Sequence, residues 1–214
     1  MSKIVLPKTT PEGIPYLSYS QINTWKRSKR EYIRQYFLGE IFTGSDYTEF
    51  GSKIGKALEE NDFSEFNDKE QKLLKTIPRY DEFEKEICLK LNGFIVKGYI
   101  DTNTTDLSKI ADYKTGNVET KVNDYASDDY TQLDIYSAAI QQETGKLPED
   151  VRVILIDRKG NAFKGEELTL GEKFVTIIKK VDDKRIKQVI KDVEKVAKEI
   201  SDYYQLFLKL NGLM

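Results

Sequence analysis

The chain has 214 residues, of which 39% are hydrophobic and 33% charged, with a formal net charge of -2. That is enough for one domain with a full core, or a domain with an accessory helical lobe. With one cysteine, Cys88, and no histidine, the chain has no internal disulfide, no cysteine-built zinc or iron-sulfur site, no His-ligated zinc and no Ser-His or Cys-His nucleophilic pair. Any hydrolysis must use carboxylates, lysine, tyrosine or a hard metal ion. No apolar run approaches the roughly 20 residues of a membrane span, and the opening MSKIVLPKTT lacks the apolar core of a signal peptide. The expected compartment is a reducing cytoplasm, with no membrane partner.

Residues 1–17 hold three of the five prolines and little periodicity, so they read as an extended lead-in. Ser18 and Gln21 have capping-box spacing, and Ile22, Trp25, Tyr32, Ile33, Tyr36 and Phe37 recur at helical intervals up to Gly39. On such a helix Arg27, Arg30 and Arg34 share one face. That face is either a solvated basic surface or a stripe of phosphate contacts flanked by aromatics able to stack on bases. A second helix is predicted over Glu49 to Asn61, with Phe50, Ile54, Ala57 and Leu58 on its apolar side. Gly51, Gly55 and Glu59 form a stripe on it; two glycines cost a helix roughly 1 kcal/mol each relative to alanine. They imply close approach by a strand or a ligand, or else a broken helix. A polar stretch follows, with a short amphipathic segment near Gln71 to Ile77.

The stretch from Asn92 to Gly116 organises the rest. Ile87, Leu89 and Leu91 alternate, Asn92-Gly93 predicts a type I′ turn, and Phe94, Val96, Gly98 and Ile100 alternate again up to Asp101. After a polar turn, a third strand over Lys109 to Lys114 carries Asp112 and Lys114, two residues apart and therefore on one strand face. Asp101, Asp112 and Lys114 read as a metal-binding carboxylate pair with an adjacent lysine. For the Asp112 and Lys114 pair alone, a sheet-face ion pair is the simpler alternative.

Helix returns over Asp128 to Glu143, with Gln132 and Tyr136 on one face, and ends at Gly145 and Pro148. Val151 to Asp157 is a nearly continuous apolar run, as in a strand buried on both faces. Ala162 to Leu168 reads as a weaker strand at a sheet edge. Thr169 and Glu172 have capping-box spacing before an apolar stripe of Phe174, Ile177, Ile178 and Val181, predicting a helix. After a charged break at Asp182 and Asp183, a longer helical stripe runs from Ile186 to Leu208 and reads as scaffold.

In order, the core reads helix, strand, strand, strand, helix, strand, with acids at the end of the second strand and on the third. Here the sequence resembles the PD-(D/E)XK nuclease superfamily, and specifically its RecB-like exonuclease branch. The matching segments are Gly51 to Glu59 (GSKIGKALE), Gly98 to Asp101 (GYID), Asp112 to Thr115 (DYKT) and Gln132 to Tyr136 (QLDIY), the last fitting a Q-x-x-x-Y motif. The resemblance implies a restriction-endonuclease-like α/β (α+β) fold: an αβββαβ core with a central mixed sheet between helices, plus N-terminal and long C-terminal helices. Residues 1–214 then form one nuclease domain: the lead-in, a core over 18–158, and an edge strand with C-terminal helices over 159–214. It implies a metal-dependent deoxyribonuclease, an exonuclease on single-stranded DNA or DNA ends, in replication, recombination or repair. Asp101, Asp112 and the Tyr113 carbonyl would hold Mg²⁺ or Mn²⁺, Lys114 would orient or deprotonate the attacking water, and Gln132 and Tyr136 would position the nucleic acid. Arg27, Arg30 and Arg34 are candidate phosphate contacts.

The branch has a metal-ligating histidine in its first helix where this chain has Gly55, which makes Glu59 a further candidate ligand. Ser28 stands about where iron-sulfur relatives have their first cysteine, and the C-terminal region has none, so no iron-sulfur cluster is expected. The alternative function is a catalytically inactive nucleic-acid-binding or assembly module.

Overall fold

The computed structural model describes residues 3–41 and 44–213, so the ends of the expected 1–214 unit, including the start of the lead-in, lie outside the described residues. Among the described residues the elements are β1 (Tyr16–Leu17), α1 (Tyr19–Arg27), α2 (Lys29–Tyr32) running into a π-helical turn (Ile33–Phe37), α3 (Asp46–Glu60), α4 (Asp68–Thr76), β2 (Glu82–Leu91), β3 (Phe94–Asn103), β4 (Lys109–Gly116), α5 (Val118–Ala126), α6 (Gln132–Thr144), β5 (Asp150–Lys159), β6 (Thr169–Ile178) and α7 (Asp183–Leu210). This is the expected mixed α+β arrangement of a central sheet between helices, with α5 as an extra helix that the sequence reading lacks.

The hairpin of β2 and β3 forms as expected, with Leu91 opposite Phe94. Its turn is not type I′, which needs two left-handed residues; Gly93 has φ 87°, and Asn92 does not share the positive φ. The other edge of β3 is shared. β1 pairs with it in parallel at Ile95 and Val96, and β4 pairs antiparallel at Thr102 and Asn103. Between these contacts the edge from Lys97 to Asp101 is left open. β4 lies parallel to β5 along its whole length, and β5 antiparallel to β6.

Alternate residues of the central strands feed two apolar clusters, one on each sheet face. Ile110, Val153 and Leu155 pack with α6 and α7 residues such as Leu133, Ala197 and Ile200, while Ala111, Ile154 and Ile156 pack with Ile54 and Leu58 of α3 and Leu74 of α4. The run Val153–Ile156 is accordingly buried on both faces.

Three further expectations are corrected. The predicted helix over Ser18 to Gly39 is interrupted at Ser28, which is extended (φ -157°, ψ 99°) and uses its hydroxyl to cap α2 through Glu31 N. The predicted strand over Ala162 to Leu168 is a 3₁₀ turn, Ala162–Lys164, followed by irregular chain. The segment predicted to be helical from Thr169 is β6. Its Val175, Thr176, Ile177 and Ile178 are β-branched and suit a sheet, and the two-sided burial imitates a helical stripe. The C-terminal helix forms as expected, with the Asp182 side chain capping Arg185 N.

Candidate active site

The pairing of β3 with β4 stops at Thr102 opposite Ala111. The next residues outward are Asp101 and Asp112, so both acids sit where the two strands part. Asp101 Oδ2 accepts from the Tyr113 backbone N–H at 2.6 Å, bridging the fork. Asp112 is fully buried, and Lys114 Nζ lies 2.6 Å from its Oδ2, as expected for residues on one strand face. Burial and the Asp112 charge push the Asp101 carboxyl up to about 7. Burial alone would lower the Lys114 pKa, but Asp112 and then Asp101 outweigh it and push it up. Lys114 is therefore cationic at neutral pH.

Helix α6 supplies the opposite wall. Gln132 Nε2 donates to Asp112 Oδ1 and lies 2.9 Å from the Tyr136 hydroxyl, so Gln132 meets the predicted acid directly and Tyr136 is linked to it through Gln132. Gly98 on β3 makes room for this helix: a β-carbon there would lie 2.5 Å from Tyr136 Cε1. The hydroxyl of Tyr130, absent from the sequence reading, lies 2.9 Å from Asp112 Oδ2 and 2.8 Å from Gln132 Oε1. Burial and the Asp112 charge raise its pKa, so it keeps its one proton to donate. The only signal for it was an aromatic residue two positions before Gln132.

Helix α3 forms a third wall. A cavity of about 690 Å³ is lined by Gly51, Gly55 and Glu59 of α3 together with Glu84, Asp101, Tyr113 and Lys114. A β-carbon at Gly51 would lie 3.5 Å from Thr115 Oγ1, whereas one at Gly55 would meet nothing within 4 Å. At Gly51 that is ordinary contact with β4, not the close approach that would require glycine; Gly55 leaves open space beside the acids, and α3 runs unbroken through both. Glu84 is a further residue the sequence reading missed. It has left-handed backbone (φ 49°) within β2, and its pKa is raised by burial and by the charges of Glu59 and Asp112.

Among the described residues no three acid or cysteine side chains converge into a closed metal cage; Glu59 shares the cavity with Asp101 but is not brought into such a set. The donors at the fork are hard oxygens. Mg²⁺ is commonly held by one or two carboxylates, with water and substrate phosphate completing its shell. The upward shifts at Asp101 and Glu84 come first from burial and only then from neighbouring carboxylates, and a divalent cation would relieve that second part. The donor set therefore fits such an ion.

The arginines behave differently from the expected stripe. The break at Ser28 puts Arg27 on a different helix from Arg30, and Arg34 lies in the π-helical turn. Arg27 is bonded to Glu31 at 3.1 Å and Arg34 to Glu40 at 2.6 Å. None of the three lines a cavity that reaches Asp101.

Among known proteins, a solved candidate exonuclease from Eubacterium rectale is similar in fold, with TM-score 0.52 and 13% identity over 97% of this chain and 88% of that one. A phage-related exonuclease from Haemophilus somnus 129PT aligns with TM-score 0.46 and 15% identity over 97% and 92% of the two chains. Among curated proteins none matches. The family model of the PD-(D/E)XK nuclease superfamily matches residues 62–207, a span that takes in the fork, Gln132 and Tyr136 but begins after α3. The chain belongs to the PD-(D/E)XK nuclease superfamily.

Proposed function

We propose that the protein is a divalent-metal-dependent deoxyribonuclease that hydrolyses phosphodiester bonds, acting as an exonuclease on single-stranded DNA or DNA ends. The observation that carries this reading is the fork itself. Two acids stand at the parting of β3 and β4, with Lys114 bonded to one of them and Gln132 bonded to the same one. Asp101, Asp112 and the Tyr113 carbonyl would hold Mg²⁺ or Mn²⁺, and Glu59 faces the same cavity as a further candidate. A bound ion would supply charge neutralisation at the scissile phosphate and a water of lowered pKa.

The chain's own groups then have separable tasks. Lys114, held cationic by Asp112, offsets negative charge that builds on the phosphate and orients a water by donating to it. Its raised pKa argues against the deprotonating role. Gln132 spends its amide hydrogens on Asp112 and the Tyr136 hydroxyl, so Tyr136, whose own hydrogen remains, is the one placed to donate to nucleic acid while Gln132 holds it in position.

A second reading, a non-catalytic nucleic-acid-binding or assembly module, is favoured by Gly55, which offers no ligand where the resemblance implies a histidine. The test is digestion of linear and covalently closed circular single-stranded DNA with Mg²⁺ or Mn²⁺. The proposed function predicts nucleotide release from the linear form only. Degraded circles would overturn the dependence on ends, and binding without cleavage in either metal would favour the second reading.

A further inference from the structure

Asp101 and Lys114 line two cavities, one on each side of the fork. The first is the acidic cavity along α3. The second is a groove of about 1040 Å³ between the 8–20 segment and the β2–β3 hairpin, and Gln132 and Tyr136 also reach it. The groove exists because β1 and β4 each pair with only two residues of β3, leaving the edge between them open. Away from the acids its walls are mixed, with Tyr16, Tyr19, Tyr36 and Tyr99 set among polar and charged residues. Tyr99 is the exposed one, at 44%. Its hydroxyl donates to Glu86 at 2.9 Å, Lys97 bonds the same carboxylate at 2.8 Å, and Lys97 Nζ lies 5.6 Å from the centre of the Tyr99 ring. The ring is thus held by two neighbours, with Lys97 over one face, while the residue stays exposed. Lys8 and Lys97 are offset by Glu12 and Glu86 on the same walls, so the groove is not a basic channel.

We infer that this groove holds a single nucleic-acid strand chiefly by stacking unpaired bases on Tyr99 and its neighbouring tyrosines, with Lys97 and Lys8 making no more than one or two phosphate contacts. The inference deepens the nuclease reading and rests on it for the identity of the occupant. Stacking selects single strands because the base faces of a duplex are already occupied by one another. The balanced charge has its own consequence. Single-strand affinity falls with salt by about 0.7 in log–log slope per neutralised phosphate, so binding here has a shallow slope. The bonds from Lys97 and Tyr99 to Glu86 also make Glu86 a competitor for an incoming phosphate.

The test is fluorescence anisotropy of a labelled oligothymidylate with the full-length protein in EDTA, where cleavage plays no part. Tyr99→Ala weakens binding roughly ten-fold, the scale of losing one base stack; Tyr99→Phe retains affinity; Glu86→Gln tightens it. The salt slope lies near -1, and a hairpin duplex binds more weakly than the single strand. Unchanged affinity in Tyr99→Ala, a slope steeper than about -3 (the release expected of four or more phosphates), or equal binding of the duplex would each overturn the inference. Adding Mg²⁺ to the same samples tests the nuclease reading separately: absence of cleavage would count against that reading and leave the binding result standing.

Discussion

Asp101 is the residue whose chemistry is most sensitive to its surroundings. Its carboxyl is raised from the ordinary range to about 7 by burial and by Asp112, whereas in an unfolded chain it titrates near 4. A raised folded value favours the folded state at low pH, and the contribution is lost as pH rises through about 7. Metal-free protein should therefore lose thermal stability between pH 5 and 8 more steeply than Asp101→Asn, whose amide oxygen can still accept from Tyr113 N. Thermal melts of both proteins across that range check this, and parallel profiles would contradict it. Gly98 gives a second prediction at this scale. Gly98→Ala drives a β-carbon into Tyr136, at an overpacking cost of about 1–3 kcal/mol, and displaces the hydroxyl from Gln132. Nuclease activity should fall at least as severely as in Tyr136→Phe, which keeps the ring in place; activity retained at the wild-type level would show that Tyr136 adjusts freely.

At the scale of elements, the fork was legible because its signals are local. Strand alternation marks β3 and β4, Asp112 and Lys114 stand at a spacing of two, and Gln132 and Tyr136 at a spacing of four. Those periods survive in the folded chain as the bonds linking Lys114, Asp112, Gln132 and Tyr136. What stayed hidden depends on distant partners. β1 is a two-residue strand defined only by Ile95 and Val96, and β6 is a strand because β5 lies beside it. Glu84 was invisible because its role as a wall comes from backbone conformation and from its place between the Phe83–Thr102 and Lys85–Ile100 pairs. The break at Ser28 is a serine choosing to cap over continuing a helix, a choice that residues on both sides permit. Another long-range contact holds α7 to α6: Arg185 is bonded to both carboxylate oxygens of the buried Asp134, with Nη2 2.9 Å from Oδ2. Removing one partner of a buried pair strands the other's charge, at about 3–5 kcal/mol. Arg185→Met should cost about 3 kcal/mol in chemical denaturation, and a loss below about 1 kcal/mol would show that α7 is held by its apolar stripe alone.

For the whole molecule, the sheet is shared by both apolar clusters, since neighbouring residues of β4 and β5 belong to opposite faces. Loss of one cluster exposes the backs of the same strands. We therefore propose that residues 1–214 unfold as one unit, so calorimetry of the metal-free protein should give a single transition with equal calorimetric and van't Hoff enthalpies; two resolved transitions would divide the chain into separate domains. The low net charge and the ion pairs of Arg27 and Arg34 accord with the proposal that nucleic acid is held in the groove at the fork instead of on a broad basic surface. Everything proposed for function converges on Lys114, the cation bonded to Asp112 and shared by both cavities. The most direct measurement is release of nucleotides from linear single-stranded DNA in Mg²⁺ or Mn²⁺ by wild-type protein and by Lys114→Ala, with binding to the same DNA measured in EDTA. Metal-dependent release by the wild type, abolished in the variant while binding persists, is the predicted result; cleavage by Lys114→Ala at the wild-type rate would contradict it.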